Sequence, residues 1–199
     1  MKKEYTINIS EKHKAFLWMV PKTGSFHASF VFNHLDFISY NTADLGLREK
    51  FLMHNHSMEL FPGHENYKFI CTVRNPFTKL LSEFKYRLTD KSEFTPDNFR
   101  KFFSEKNEAH FDYIFIMFQK RKPDYFLRIE HLWADYIKIP FVYNSKLCQS
   151  GLLYELCNKK LNGTFIRPEE KFFYTKDMIE HVKYVAKDYL EMFGYDYPY

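Results

Sequence analysis

Cysteine and long apolar runs are both scarce in this sequence. The 199 residues include three cysteines, Cys71, Cys148 and Cys157, an odd number that predicts free thiols in a reducing compartment. A Cys148–Cys157 bridge is the alternative. No apolar run approaches the length of a transmembrane helix, and residues 1–6 lack the apolar core of a signal peptide. We therefore expect a cytoplasmic protein with no membrane anchor.

The sequence also lacks a strong excess of charge of either sign. Lysine and arginine total 29 and the acidic residues 25, giving a formal net charge of +4, which is too small to indicate a nucleic-acid partner but suits a small anionic ligand. Aromatic residues, in contrast, make up 20% of the chain, as expected for a packed core and not for disorder. With no repeat or linker in the sequence, we predict a single domain over residues 1–199.

The first stretch that indicates function is the apolar run at residues 16–20 and the turn that follows it. The run predicts a buried strand over residues 15–20, and Ser25 is placed to cap a helix over residues 25–36. A strand–turn–helix junction binds anions because its backbone N–H groups converge and the helix N-terminus carries partial positive charge. Lys22 adds a full charge. The alternative is a plain connection with a solvated lysine; the spacing of a Walker A loop is absent.

A second apolar run, residues 69–73, ends at Arg74-Asn-Pro76. Pro76 suits the first turn of a helix, which we predict over residues 76–88. Arg74 at the strand end and Ser82 two turns into the helix can grip another phosphate, with a guanidinium fork and a hydroxyl. The alternative is an arginine paired with a surface carboxylate and an exposed serine.

The pattern along the chain alternates strands with helices, which predicts an α/β fold with a mostly parallel central sheet flanked by helices. We interpret residues 1–14 as a short polar segment that precedes the first strand, and Asn41 as part of a turn. The remaining predicted strands are at 68–73, 125–129 and 139–143. The remaining predicted helices are at 44–53, from Thr95 onward, and at 109–119, 132–136, 150–161 and 176–193, the last ending at Gly194.

Ligands of parallel sheets bind beyond the carboxyl ends of the strands. Lys22 and Arg74 each follow the end of a predicted strand, so we expect both anion-binding groups at one edge of the sheet. A single nucleotide with two anionic groups can then span them.

Taken together, the two stretches resemble the sulfotransferases that use 3′-phosphoadenosine 5′-phosphosulfate (PAPS). Val20-Pro-Lys-Thr-Gly-Ser25 is similar to the 5′-phosphosulfate loop of that family. Arg74 to Phe84 is similar to its 3′-phosphate motif, R-[DN]-P-x-x-R-x-x-S-x-[FY], with Lys79 where arginine is usual. Residues 125–135 and 173–195 are similar, less specifically, to a strand with an R-x-E-x-L segment and to the closing helix of the carbohydrate sulfotransferases.

The resemblance implies a P-loop-like sulfotransferase fold and an enzyme that transfers a sulfuryl group from PAPS to an acceptor hydroxyl on a carbohydrate, leaving PAP, with no metal. Lys22 would stabilise the leaving oxygen. Many sulfotransferases close a basic loop over the nucleotide late in the chain, and residues 164–171 would do so here through Arg167 or, less favoured, Lys171; the alternative is an ordinary surface loop. The expected nucleotide-binding residues are Lys22, Thr23, Gly24, Ser25, Phe26, His27, Arg74, Ser82 and Arg167.

An acceptor hydroxyl also needs a base near the sulfur. His54-Asn-His56 lies between the two motifs, where the uronyl 2-O-sulfotransferases have a similar H-x-H whose second histidine is the implied base. We therefore favour His56, then His54, with Glu59 third. Both histidines can instead be surface residues, or bind zinc with His64, although no fourth ligand is evident.

Two other functions compete with sulfuryl transfer. A nucleotide kinase is disfavoured, because the Walker lysine and a Walker B-type aspartate are missing. A non-catalytic module of the same fold, which captures a phosphorylated or sulfated ligand, would keep Lys22, Arg74 and Ser82, since binding needs the same residues as catalysis.

Overall fold

The structure is a computed structural model, and it describes residues 6–41 apart from Met19 and Pro21, then residues 66–105, 122–158 and 168–199. The chain divides into two compact units, residues 1–73 with 116–161 and residues 74–115 with 162–199. Each unit has a hydrophobic core of its own. The assignment of a single domain to the whole chain stays a prediction.

The first unit contains a five-stranded sheet in the order β3-β1-β2-β4-β5. β2 and β4 pair in parallel, as do β4 and β5, whereas β1 pairs antiparallel with both β2 and β3. The α/β class is therefore confirmed, but the sheet is mixed, and the prediction of a mostly parallel sheet is wrong for its β1 and β3 side. The strands are β1 Thr6–Ser10, β2 Ala15–Trp18, β3 Ile38–Asn41, β4 Lys68–Val73 and β5 Tyr125–Arg128.

The mixed character comes from β1, which the sequence presents as a polar lead-in. The side chain of Asn8 is buried, and its amide nitrogen donates to the Ser29 hydroxyl at 3.0 Å, while its amide oxygen accepts from the Ser39 hydroxyl at 2.7 Å. Hydrogen bonds thus offset the cost of burying this polar side chain in a strand. Asn41, predicted as a turn, is instead the last residue of β3, because this strand pairs with β1 and Asn41 lies opposite Thr6.

Helices pack on this sheet and enclose the first core. That core includes Phe32 from α1, Leu127 from β5 and Tyr136 from α4. Residues 139–143 were predicted as a strand, but Ile139 is the N-cap of a helix over Pro140–Tyr143. Pro140 suits this helix because it stands at the first helical position, where its missing N–H costs nothing. The helices of this unit are α1 Ser25–Asn33, α4 Leu132–Tyr136, α5 Pro140–Tyr143, α6 Lys146–Gln149 and α7 Leu152–Asn158.

The described residues of the second unit are largely helical. α3 begins after Thr95, whose side chain accepts from the Asn98 N–H, as predicted. The predicted helix over residues 176–193 is two helices that meet at Ala186, and the second ends at Gly194 with φ 68°, a left-handed residue that suits glycine. The helices are α2 Pro76–Arg87, α3 Pro96–Ser104, α8 Lys176–Val185 and α9 Lys187–Phe193. In neither unit does a described helix have the length and apolar character needed to cross a membrane.

Candidate functional site: an anion loop and a held arginine

The turn between β2 and α1 has an unusual backbone. Lys22 has φ 66° and Gly24 has φ 80°. The left-handed region suits glycine, but holding a lysine there costs on the order of 1 kcal/mol, which the surrounding structure must offset. We call Val20 together with residues 22–24 the anion loop.

Gly24 is the N-cap of α1, and Ser25 is the first helical residue, which corrects the prediction that Ser25 caps the helix. Because glycine has no side chain, no capping side chain competes for the first backbone N–H groups. The first intrahelical bond runs from the Ala28 N–H to the Gly24 carbonyl at 3.1 Å. The N–H groups of residues 25–27 precede it, as an anion site at a helix N-terminus requires.

Thr23 shapes the loop from within. Its side chain is 1% exposed, and its hydroxyl donates to the Val20 carbonyl at 2.6 Å and lies 2.6 Å from the Thr72 hydroxyl on β4. The Thr23 N–H also donates to the Val20 carbonyl, at 3.3 Å. The side chain and N–H that we expected on a phosphate are therefore committed to the loop itself.

The His27 side chain is turned inward. Nε2 lies 3.1 Å from the Leu156 carbonyl and Nδ1 lies 3.2 Å from the Tyr136 hydroxyl. Because a carbonyl only accepts, Nε2 carries the proton and the Tyr136 hydroxyl donates to Nδ1. Burial lowers the pKa of His27 below its ordinary value, so the imidazole is neutral. Its ring belongs to the core of the first unit, and what His27 offers the loop is its backbone N–H.

Phe26 differs from its neighbours, because its ring is 80% exposed. Lys22 is half-buried. The start of α1 and the loop before it therefore provide three features: backbone N–H groups, a half-buried lysine and an exposed aromatic ring.

The positive φ of Gly24 favours glycine, and a close contact on the other side of the loop adds to this preference. A Cβ atom at this position would lie 2.7 Å from Cδ1 of Ile129, the residue that follows β5. The residue before it, Arg128, donates through Nε and Nη2 to the carboxylate of Asp135, at 2.9 and 2.7 Å. Burial opposes ionisation of Asp135, but the hydrogen bonds from Arg128 and Lys138 outweigh it and hold the pKa of this carboxyl below its ordinary value. The ion pair thus fixes the turn that presents Ile129 to Gly24.

Arg74, in the second unit, is held at both its backbone and its side chain. The Tyr189 hydroxyl accepts from the Arg74 N–H at 3.2 Å and donates to the Arg74 carbonyl at 3.1 Å. Nε of the guanidinium donates to the Thr78 hydroxyl at 2.9 Å, which in turn donates to the Asn75 carbonyl at 3.1 Å. The arginine is 7% exposed, so its orientation is set by the fold.

Ser82 is half-buried on α2. Thr78 and Ser82 are four residues apart, so they share one helix face, and Arg74 contacts Thr78 on that face. Lys79, where the resemblance leads us to expect arginine, is buried. The predicted pairing of Arg74 with Ser82 is therefore compatible with the helix, with Thr78 as an additional member that the motif does not include.

Four of the predicted residues lie outside the described part of the chain: His54, His56 and Glu59, proposed as bases, and Arg167, proposed in a closing loop. Their roles stay predictions.

Sequence reasoning missed the residues that hold the anion loop, Thr72 and Ile129, and those that hold Arg74, Thr78 and Tyr189. Only Thr72 carried a signal, as the lone hydroxyl in the apolar run of residues 69–73. No family model, curated protein or solved structure matches this chain. Its function is therefore inferred from the geometry of the anion loop and of Arg74.

Proposed function

We propose that this protein is a PAPS-dependent sulfotransferase that transfers a sulfuryl group to a hydroxyl group of a carbohydrate acceptor. The observation that carries the proposal is the pairing of β2 with β4. The two strands are parallel neighbours, so their carboxyl ends lie at the same edge of the sheet, where ligands of such sheets bind. β2 leads into the anion loop, and Arg74 is the residue that follows β4 in the chain.

The two motifs match the two anionic ends of PAPS. The N–H groups of residues 25–27 would hold the 5′-phosphate, as a helix N-terminus does. Arg74 and Ser82 would hold the 3′-phosphate through a guanidinium fork and a hydroxyl. A 3′-phosphate distinguishes PAPS from ATP, so this second motif favours PAPS over nucleotides that lack it.

In the proposed reaction, the bond between sulfur and the leaving 5′-phosphate oxygen breaks while a bond from sulfur to the acceptor oxygen forms. Negative charge grows on the leaving oxygen, and the ammonium of Lys22 would stabilise it there. The acceptor loses its proton to a base. Positioning and electrostatic stabilisation supply the catalysis, as in phosphoryl transfer.

The pH dependence should identify the type of base. If His56 or His54 takes the proton, it must be neutral to act, so kcat should fall as the pH drops and the imidazole gains a proton. A Glu59 carboxylate is a weaker base than an imidazole, so it would keep the rate constant to a lower pH. The measurement is a pH–rate profile at saturating substrates for the wild type and for His56→Ala, His54→Ala and Glu59→Gln. A fall only near the carboxyl pKa would remove the histidine assignment.

The proposed function is tested by incubating the purified protein with sulfur-labelled PAPS and a panel of carbohydrate acceptors. We expect PAP release together with an acceptor whose mass rises by one sulfuryl group. PAP should also raise the melting temperature more than ATP at equal concentration, since ligands stabilise the state they bind. Equal shifts from PAP and ATP would refute the assignment. PAP binding without turnover of any acceptor would instead favour the non-catalytic module.

A further inference from the structure

Thr72 on β4 closes a ring of hydrogen bonds around the first residue of the anion loop. Its hydroxyl accepts from the Val20 N–H at 3.2 Å and lies 2.6 Å from the Thr23 hydroxyl, which donates to the Val20 carbonyl at 2.6 Å. Since Thr23 uses its only hydroxyl proton on the carbonyl, Thr72 must donate to Thr23. The ring therefore runs from the Val20 N–H through both hydroxyls back to the Val20 carbonyl.

This ring fixes a backbone that would not keep its shape unaided. Lys22 has a positive φ, and for a residue other than glycine such a conformation persists only where the surroundings hold it. Thr23 follows Lys22, and its side chain is buried and bonded to β4. The side chain of Ile129, the residue after β5, packs against Gly24. Contacts from two strands thus determine the loop.

We propose that Thr72 is a positioning residue of the anion loop. Acting through Thr23, it holds the anion loop so that Lys22 and the first N–H groups of α1 point to where an anion binds. Hydrogen-bond donors that are already aligned need no reorganisation when an anion binds, so the binding free energy is not spent on ordering the loop. The identity of the anion, the 5′-phosphosulfate of PAPS, rests on the proposed function, whereas the shape of the loop does not.

Thr72→Val tests the proposal, because valine keeps the shape and removes the hydroxyl. It leaves the buried Val20 N–H without its acceptor, so we expect the Kd for PAP to rise about tenfold. Thr72→Ser restores the hydroxyl and should stay within about twofold of the wild type. Thr175→Val is the matched control, since the Thr175 hydroxyl accepts from the Met178 N–H at 3.4 Å as a helix cap in the second unit.

A second ligand separates positioning from general support of the fold. Adenosine 3′-phosphate lacks the 5′-phosphate, so its Kd should be the same for Thr72→Val and the wild type in calorimetric titrations. If Thr72→Val weakens both ligands equally, or weakens neither, the positioning role is wrong.

Hydrogen exchange tests the loop without relying on the nucleotide. In the wild type, the Val20 and Thr23 amides should exchange slowly, and Thr72→Val should speed both. Inorganic sulfate should shift the NMR signals of the amides of residues 25–27, more weakly in the variant. If the wild type binds no PAP but these changes are seen, the proposed function fails and the loop assignment stands. Unchanged exchange at Val20 and Thr23 would overturn the assignment itself.

Discussion

Replacing Lys22 by glycine should lower kcat for sulfuryl transfer by a factor on the order of 10²–10³, the scale of a lost electrostatic group at a developing oxyanion. The free energy of unfolding should change by less than about 1 kcal/mol, because glycine adopts the φ of 66° found at this position without strain. Steady-state kinetics and chemical denaturation together check this result.

The chain contains a matched control for this substitution. Lys14 also has a positive φ, 46°, and it immediately precedes β2. Its ammonium donates to Glu11 at 3.1 Å and to the Tyr67 hydroxyl at 3.0 Å. Lys14→Gly therefore also removes a lysine charge from a residue with positive φ, but at the opposite end of β2. We expect kcat to be unchanged. Equal losses of activity from the two variants would contradict the role of Lys22.

Replacing Arg74 by alanine should weaken PAP binding by about 2–3 kcal/mol, the scale of a lost charge-assisted pair of hydrogen bonds. Binding of adenosine 5′-phosphosulfate, which has no 3′-phosphate, should change little. Tyr189 holds Arg74 through its backbone N–H and carbonyl, so this contact survives the substitution and the chain should keep its path. Calorimetry with both nucleotides gives the two affinities.

Two further variants sharpen this experiment. Arg74→Lys keeps the charge but loses the planar fork and the Nε donor to Thr78, so PAP affinity should be restored only in part. Arg100→Ala removes an exposed arginine of α3 that pairs with Asp97 at 2.8 Å, and PAP affinity should be unaffected. If Arg74→Ala weakens both nucleotides equally, Arg74 supports the fold and does not recognise the 3′-phosphate.

Elements with local signals were predictable from the sequence. The apolar run before Arg74 is β4, Pro76 stands in the first turn of α2, Thr95 caps α3 and Gly194 ends α9. Each of these depends on residues within a turn or two of one another, and backbone sterics, capping and the missing N–H of proline act over that range.

The same local reasoning failed where a distant partner decides the structure. β1 is a strand although its sequence is polar, because Asn8 finds partners on α1 and β3. The expected place of the His27 side chain was beside a nucleotide, but Tyr136, 109 residues later, and Leu156 contact both nitrogens of its ring, and only its backbone N–H remains in the proposed site.

The sequence by itself determined which groups we propose as anion-binding: Lys22 and the first N–H groups of α1 in the first unit, and Arg74 in the second. The tertiary structure decided how they are held, by Thr72 against Thr23, 49 residues apart, and by Tyr189 against Arg74, 115 residues apart. The physical reason is that residue type and local spacing determine what a group can bind. Its orientation is set by buried hydrogen bonds to distant residues, which form only when the strands and helices pack.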